Sequence, residues 1–423
     1  MTIPTSTSRP RMAYLVSQYP MLSMIFIIRE VLQLRALGFD IDVASINAAD
    51  RGAEGLTRDE AAEADRTYYI KPHGLRGAVA AHVKTLVSHP GGYLKGFWQV
   101  LQFARFDLKA LFYQLMYFSE ALMVGVWMTQ RGQRHLHAHL GSQAATVGLY
   151  VKTIFGYGFS ITVHGPDEFY DAPGQHLTEK VIAADFICCI SYFARSQLMK
   201  LSPWEHWRKL EVSRLGVDPA VFAPRPFRDQ PAPFEIICVG RLTPAKGQHI
   251  LVQAVQQLTE KGRSLRLRLV GDGEDRASLE RQVRQLGVES QVIFEGAVNQ
   301  DRIRDLYAGA DLFAIPSFAE GIPVVLMEAM AMEIPCVTTR ITGIPELIED
   351  GVTGLLVAPS DIDGLASAIE RLMDDPALRQ RLGKNGRKQV EANYDLARNV
   401  DRLARIFTRR LASMSNTTEA QTT

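Results

Sequence analysis

Twice along this chain, short continuous runs of apolar residues alternate with amphipathic, helix-like segments, and that pattern leaves few folds open. In the first half, Met12–Ser17, Ile41–Ile46, His135–Leu140, Phe159–His164, Phe186–Ser191 and Lys209–Arg214 read as strands, with Ser23–Leu37 as the first helix. In the second half, Glu235–Gly240, Leu265–Gly271, Val292–Gly296, Leu312–Pro316, Cys336–Thr339 and Gly354–Val357 repeat the pattern. Helices at Gly247–Lys261, Ala277–Leu286, Ile303–Gly309 and Pro323–Met332 separate them. Strands without polar alternation are covered on both faces, as in a parallel sheet flanked by helices. The expected fold class is α/β, with two Rossmann-like, doubly wound parallel sheets facing across a cleft. Ligands of such sheets gather outside the carboxyl ends of the strands.

Between the halves lies a proline-rich stretch, Ala223-Pro224-Arg225-Pro226 through Pro231-Ala232-Pro233, which suits a linker. The expected division is a first domain over 1–222, a linker over 223–233 and a second domain over 234–393. A helix over 394–412 is expected to pack back on the first domain. The polar tail 413–423 is expected to be disordered. A length of 423 residues suits two domains of roughly 200 residues each. With 47% hydrophobic residues, neither half needs a metal or disulfides to hold a core. A formal net charge of +1 supplies no field for nucleic acid. Cys188, Cys189, Cys238 and Cys336 sit in apolar runs without a C-x-x-C spacing and read as buried thiols. The first ten residues are polar, with no secretory signal pattern after them, and no run approaches the roughly 18 apolar residues of a membrane span. The expectation is a cytoplasmic protein, either free or peripheral on the inner face of the cytoplasmic membrane.

The most specific motif runs from Glu320 to Ala331. It follows the strand that ends at Pro316 and opens a helix near Pro323. Gly321 lets a ligand approach the backbone, and the amides around Ile322 and Pro323 form an anion site at a helix start. Glu328 lies roughly 8 Å further along the axis. A diphosphate at the helix start would have a sugar hydroxyl near Glu320 and ribose hydroxyls near Glu328. The plainer alternative is a solvated acidic loop. The run Val239–Gly247 ends a strand at Gly240 and then sets Arg241 and Lys246 before the next helix. Charge develops on a departing diphosphate, and fixed cations stabilise it most in the transition state, in place of a metal. Otherwise these are two solvated surface cations. His164 ends a third strand and is followed by Gly165, Pro166 and Asp167. It would reach a donor sugar or polarise a phosphate. His135, His137 and His139 alternate and so share a strand face; either zinc binds there, or His139 alone faces the site. Gly271-Asp272-Gly273 lacks the third glycine of a dinucleotide fingerprint and reads as a tight turn. Phe97–Met128 is rich in aromatic and aliphatic residues and reads as a core helix pair or as a face that dips into a bilayer surface.

Together these motifs resemble the GT-B superfamily of glycosyltransferases, in particular the retaining enzymes of family 4 with their E-x7-E motif. The resemblance covers nearly the whole chain. It is carried by Leu215–Pro219, Val239–Gly247, Val270–Gly273, Glu320–Ala331, Gly343–Leu347 and Gly351–Val357. In the first half, Val16–Pro20, Ser23–Glu30 and His137–His139 look like the bacterial exopolysaccharide, colanic-acid type, branch. The resemblance implies that Arg241 and Lys246 bind the donor diphosphate, Glu328 the ribose and Glu320 a donor-sugar hydroxyl. The backbone from Gly321 to Pro323 completes that site, together with Gly240. His164 stands beside the donor sugar, and Ser23, His139 and Asp167 lie on the acceptor side. The partners implied are a UDP- or GDP-linked sugar and a glycan or lipid-linked glycan acceptor, with no cofactor, no metal and no nucleic acid. One departure is visible: Met24 and Ile25 stand where that branch carries a glutamate and a threonine after the serine. A nucleotide-sugar epimerase on the same plan, or a catalytically silent partner of another transferase, remain alternatives.

Overall fold

The computed structural model describes residues 10–420, without the side chains of Ser23, Gln300 and residues 415–420. It divides into two compact units. One comprises the chain up to Ile190, Ala194–Ser213 and everything from Val400 on; the other comprises Ser191–Phe193 and Arg214–Asn399.

The first unit holds a seven-stranded sheet of β1 (Arg11–Gln18), β2 (Asp40–Asn47), β3 (Tyr68–Tyr69), β4 (His135–His139), β5 (Gly158–Val163), β6 (Phe186–Cys189) and β7 (Leu210–Val212). The order is 3-2-1-4-5-6-7, and every neighbouring pair is parallel. The second unit holds a six-stranded sheet of β8 (Phe234–Val239), β9 (Leu265–Val270), β10 (Val292–Gly296), β11 (Leu312–Ile315), β12 (Cys336–Thr339) and β13 (Leu355–Val357). Its order is 10-9-8-11-12-13, again all parallel. Met12–Val16 of β1 and Ile236–Ile237 of β8 are fully buried, as the unbroken apolar runs require. Each sheet reverses its strand order once, between β1 and β4 and between β8 and β11. Loops leaving the carboxyl ends of those pairs diverge and leave room for a ligand.

The chain passes to the second unit at Arg214, ahead of the expected boundary at residue 222, and the proline-rich stretch 223–233 belongs to that unit. Proline removes a donor but keeps its carbonyl, and the acceptors of this segment are used. The buried guanidinium of Arg379 donates to the carbonyls of Arg228 (2.9 Å) and Asp229 (2.7 Å), while Arg228 Nε donates to Asp311 (2.9 Å). Of the tail 413–423 that is expected to be disordered, 421–423 lie outside the described residues and 413–420 are the end of one helix, Leu396–Ala420. Its amphipathic face is held to the first unit by Phe407, fully buried against the rings of Tyr14 and His137, and by Arg410 on Glu211. No described helix is long and apolar enough to cross a membrane.

Between β3 and β4 the first unit carries three helices, Gly74–Ser88, Pro90–Ala104 and Leu108–Arg131. The break comes at His89, and Pro90 occupies the first helical position, where its missing amide costs nothing. Gly91 and Gly92 therefore lie inside the second of these helices. The reason is packing: a Cβ on Gly92 would lie 2.0 Å from the carbonyl oxygen of Ile154, and one on Gly96 would lie 2.6 Å from the Ile154 side chain. Gly92→Ala forces a backbone contact apart. It should lower the stability of the first unit by roughly 1–3 kcal/mol, read as a lower urea midpoint of that unit, with Gly91→Ala, which meets no neighbour within 4 Å, as the control.

Candidate functional site

In the second unit four loops converge at the carboxyl ends of the strands, and glycine permits the approach. Gly271, at φ +136°, would place a Cβ 2.1 Å from the carbonyl oxygen of Gly240. Gly247, at φ +64°, would place one 2.2 Å from that of Pro316. The loop after β8 is thus clasped on one side by the loop after β9, through Leu242 N–H to the Asp272 carbonyl (3.0 Å). On the other side the loop after β11 holds it, through Phe318 N–H to the Ala245 carbonyl (2.8 Å). The Gly271–Gly273 segment is therefore a turn packed on backbone. The loop after β12 supports the same place, because Thr342 Oγ1 donates to the carbonyl of Glu320.

This convergence brings Lys246 and Glu320 together. Lys246 Nζ lies 2.6 Å from Glu320 Oε1, and Ser317 Oγ donates to the same oxygen at 2.7 Å. Glu320 is buried and Lys246 half-buried. Arg241 is exposed and makes no ion pair among the described residues. Pro323 is the N-cap, with the helix Val324–Ala331 starting one residue later than expected. The amides of Gly321, Ile322, Val324 and Val325 meet no hydrogen-bond acceptor among the described residues. They are the unsatisfied donors of a helix start, with the positive end of its dipole behind them. Glu328 is buried four residues into that helix and accepts from the hydroxyl of Tyr307 at 3.2 Å. Burial, reinforced by the Glu328 carboxylate, holds the Tyr307 hydroxyl well above its usual pKa, so it stays a donor. Cation, free amides and the Glu320 carboxylate thus meet at the carboxyl ends of the strands, with Glu328 buried in the helix that starts there.

The first unit assembles imidazoles at its own strand reversal. His135, His137 and His139 are buried on one face of β4, paired in register with β5, whose Ser160 and Thr162 supply hydroxyls. Ser160 Oγ bonds His135 (2.7 Å) and His137 (2.8 Å), and Thr162 Oγ1 bonds His137 (2.8 Å). Burial pushes the His135 pKa down to about 4, and burial with the neighbouring imidazoles holds that of His137 well below its usual value, so both are neutral spacers. No group of three or more potential ligands among the described residues is arranged for a metal ion. His139 instead bonds His164 Nε2 through Nδ1 (3.3 Å) and Glu30 Oε1 through Nε2 (3.0 Å), and Tyr14 donates to that same oxygen at 2.8 Å.

The directions of these bonds follow from the partners. A carboxylate has no hydrogen to give, so His139 carries a proton on Nε2, and in the neutral ring its Nδ1 accepts. His164 then donates from Nε2 and presents Nδ1 as a lone pair. Burial, with His139 beside it, lowers the His164 pKa well below the usual value and keeps the ring neutral. The His164 backbone is fixed as well: Glu168 accepts from the amides of His164 (2.5 Å), Gly165 (2.8 Å) and Gly141. Lys180, its pKa driven to about 7 by burial, donates to the carbonyls of Gly141 (2.7 Å) and Ser142 (2.8 Å). Asp167 is exposed next to this loop, and the side chain of Ser23 lies outside the described residues. Tyr14, Glu168, Lys180, Ser317 and Tyr307 carry no motif, and Glu30 is marked in the sequence only as the end of the Ser23–Glu30 run. Glu30 and His139 stand 109 positions apart, a separation that no motif spans.

Residues 224–389 match the family model of glycosyl transferases group 1. WcaL of Escherichia coli strain K12 is 27% identical over 401 residues, covering 91% of this chain and 96% of its own. The amylovoran biosynthesis glycosyltransferase AmsK of Erwinia amylovora is 26% identical over 420 residues, covering 94% and 99%. Among solved structures, HepE of Anabaena in complex with UDP-glucose superposes with a TM-score of 0.70 at 20% identity, covering 95% of this chain and 99% of that one. The fold is that of the GT-B proteins, two parallel-sheet α/β domains, and the chain is a glycosyltransferase.

The tautomer chain is open to direct measurement. Glu30→Gln keeps an oxygen that accepts from both Tyr14 and His139 Nε2 and so keeps both tautomers, whereas Glu30→Leu removes the acceptor that holds the His139 proton on Nε2. Long-range 15N–1H correlation spectra should show one Nε2–H form of His164 in the parent and in Glu30→Gln, and a mixture of both tautomers in Glu30→Leu. Transfer should fall about tenfold or more in Glu30→Leu alone, the scale of one misdirected buried hydrogen bond.

Proposed function

We propose that this glycosyltransferase is a retaining enzyme of the family 4 type. It moves a sugar from a UDP- or GDP-linked donor to a glycan acceptor, a lipid-linked oligosaccharide of exopolysaccharide or lipopolysaccharide assembly, at the inner face of the cytoplasmic membrane. The observation that carries this reading is the Lys246–Glu320 pair, set beside amides without acceptors at the start of Val324–Ala331. The name of AmsK, and a solved neighbour that holds UDP-glucose, support the class of product and of donor.

In this reading the donor diphosphate displaces Glu320 from Lys246 and takes the helix amides as well. Arg241 closes on it from solvent with its planar fork. Glu320, released from the cation, accepts from a sugar hydroxyl, and Glu328, aimed by Tyr307, accepts from the ribose. As the bond from the anomeric carbon to the phosphate oxygen breaks, negative charge grows on the diphosphate. Lys246 and the amides, already in place, stabilise it more than they stabilise the bound donor. The acceptor hydroxyl then bonds to the anomeric carbon on the face the phosphate leaves and passes its proton to the departing phosphate oxygen. His164 Nδ1, a lone pair, fits the task of accepting from a donor-sugar hydroxyl.

The test is transfer from UDP- and GDP-sugars to lipid-linked acceptors. Product with the donor's anomeric configuration supports the reading. An inverted product, isomerised donor without transfer, or binding without turnover would each overturn it. Lys246→Ala should lower kcat about 10²–10³-fold, the scale of losing one group that stabilises the developing anion. Exposed Arg241, which meets the ground-state diphosphate as fully as the transition state, should act mainly on KM. The matching nucleoside diphosphate should raise the melting temperature of the parent chain, and by less in Arg241→Ala.

A further inference from the structure

Beyond the donor site, one face of the first unit is built against the rules for a surface in water. Helix Pro90–Ala104 turns Leu94, Trp98 and Leu101 outward at helical spacing, and the next helix does the same with Leu108, Phe112 and Leu115. Trp98 is 62% and Phe112 61% exposed. The turn between the helices holds Arg105 and Phe106 at φ +44° and +65°, a region costly for bulky residues, and it leaves Phe106 wholly in solvent. Strained backbone thus carries an aromatic ring to the tip of an apolar hairpin. Patches of this kind mark interaction surfaces.

The charges choose the occupant. Lys95, Arg105 and Lys109 are exposed within the hairpin and make no ion pair among the described residues. Its acid, Asp107, is spent as a helix cap on the amide of Ala110 at 2.9 Å. A second copy of the chain meeting this face would bring like charges together, and lysine is depleted at protein–protein contacts. Apolar stripes with tryptophan and phenylalanine on one side and snorkelling cations along it fit the boundary of a bilayer with anionic headgroups.

We infer that the hairpin from Pro90 to Leu115 is a docking surface that inserts Phe106 and its neighbours into an anionic lipid bilayer. This names the element behind the membrane location in the proposed function, but it does not rest on the transfer reaction.

Sedimentation of the full chain with vesicles, without any donor, tests it. The chain should bind vesicles of phosphatidylcholine mixed with phosphatidylglycerol, bind phosphatidylcholine alone much less, and release as salt rises. Trp98→Ser, Phe106→Ser and Phe112→Ser combined should abolish binding while leaving the circular dichroism and transfer to a soluble acceptor unchanged, since all three side chains are exposed. Lys95→Gln or Lys109→Gln should each weaken binding about fivefold, on anionic vesicles only. Lys246→Ala should bind vesicles as the parent does, so failure of the donor-site reading would not disturb this result. A parent chain that ignores mixed vesicles, or a triple variant that binds them undiminished, would overturn the inference. So would a stable dimer of the parent that the triple variant dissolves, because the face would then belong to a second copy.

Discussion

The ion pair between Lys246 and Glu320 is the interaction on which the proposed donor site depends. A carboxylate as buried as Glu320 loses most of its hydration, and the loss is tolerable only with a cation and a hydroxyl against it. Lys246 and Ser317 fill that role and fix the carboxylate in one orientation. The arrangement also makes the site responsive to a ligand of one kind. An anion alone would take Lys246 and leave Glu320 buried without a cation. A neutral sugar alone would offer Glu320 a hydrogen bond no better than the charge-assisted one it already has. A ligand that carries both a diphosphate and hydroxyls exchanges both partners at once and strands neither. On the proposed reading, discrimination for the intact donor over its pieces comes from this exchange.

The pair exists because backbone approaches backbone. A side chain on Gly247, Gly271 or Gly343 would lie 2.5 Å or less from a carbonyl oxygen of a neighbouring loop. Any of the three as alanine would push the loops after β8, β9, β11 and β12 apart. These loops start where the sheet order 10-9-8-11-12-13 turns back on itself, so topology fixes the place and the glycines fix the distance. The first unit obeys the same geometry with different chemistry. There the reversal between β1 and β4 gathers neutral imidazoles and one carboxylate, Glu30, and the site is shaped by hydrogen-bond direction where the other is shaped by charge.

What the sequence disclosed follows from this contrast. Both sheets were legible, because unbroken apolar strands can be buried only in a parallel arrangement. Lys246, Glu320, Gly321 and Glu328 were legible too, since each sits at a fixed offset from a strand end or helix start. The Glu30–His139–His164 line was not, because its members come from a helix and from two separate strand ends and meet only once β1 and β4 are neighbours. Glu168 and Lys180 escaped for the same reason: their partners are backbone groups of loops, which carry no residue signature. The proline-rich stretch was read by its lack of donors, whereas its acceptors decide its fate through Arg379. Polar composition over 413–420 points to disorder, although a polar segment that continues a docked amphipathic helix needs no core of its own.

The helices before β4 show where hydrophobicity stops being informative. Leu108–Arg131 is apolar around most of its circumference, yet Phe118 through Met128 contribute heavily to the core while Leu108 and Phe112 meet water. In a helix of this kind, apolar periodicity does not show which face is packed. The small residues do. A Cβ on Gly125 would fall 2.0 Å from the ring of Phe155, and Gly92 and Gly96 press on Ile154 in the same way. The faces that carry glycine are therefore the faces against the sheet's helices, and the large side chains opposite them are left over once the core is complete. A chain under no constraint but folding would fill such positions with polar residues at little cost. Keeping leucine, tryptophan and phenylalanine there, with a strained turn at the tip, costs solubility and contributes nothing to the core, so the reason for those residues lies outside the folded chain.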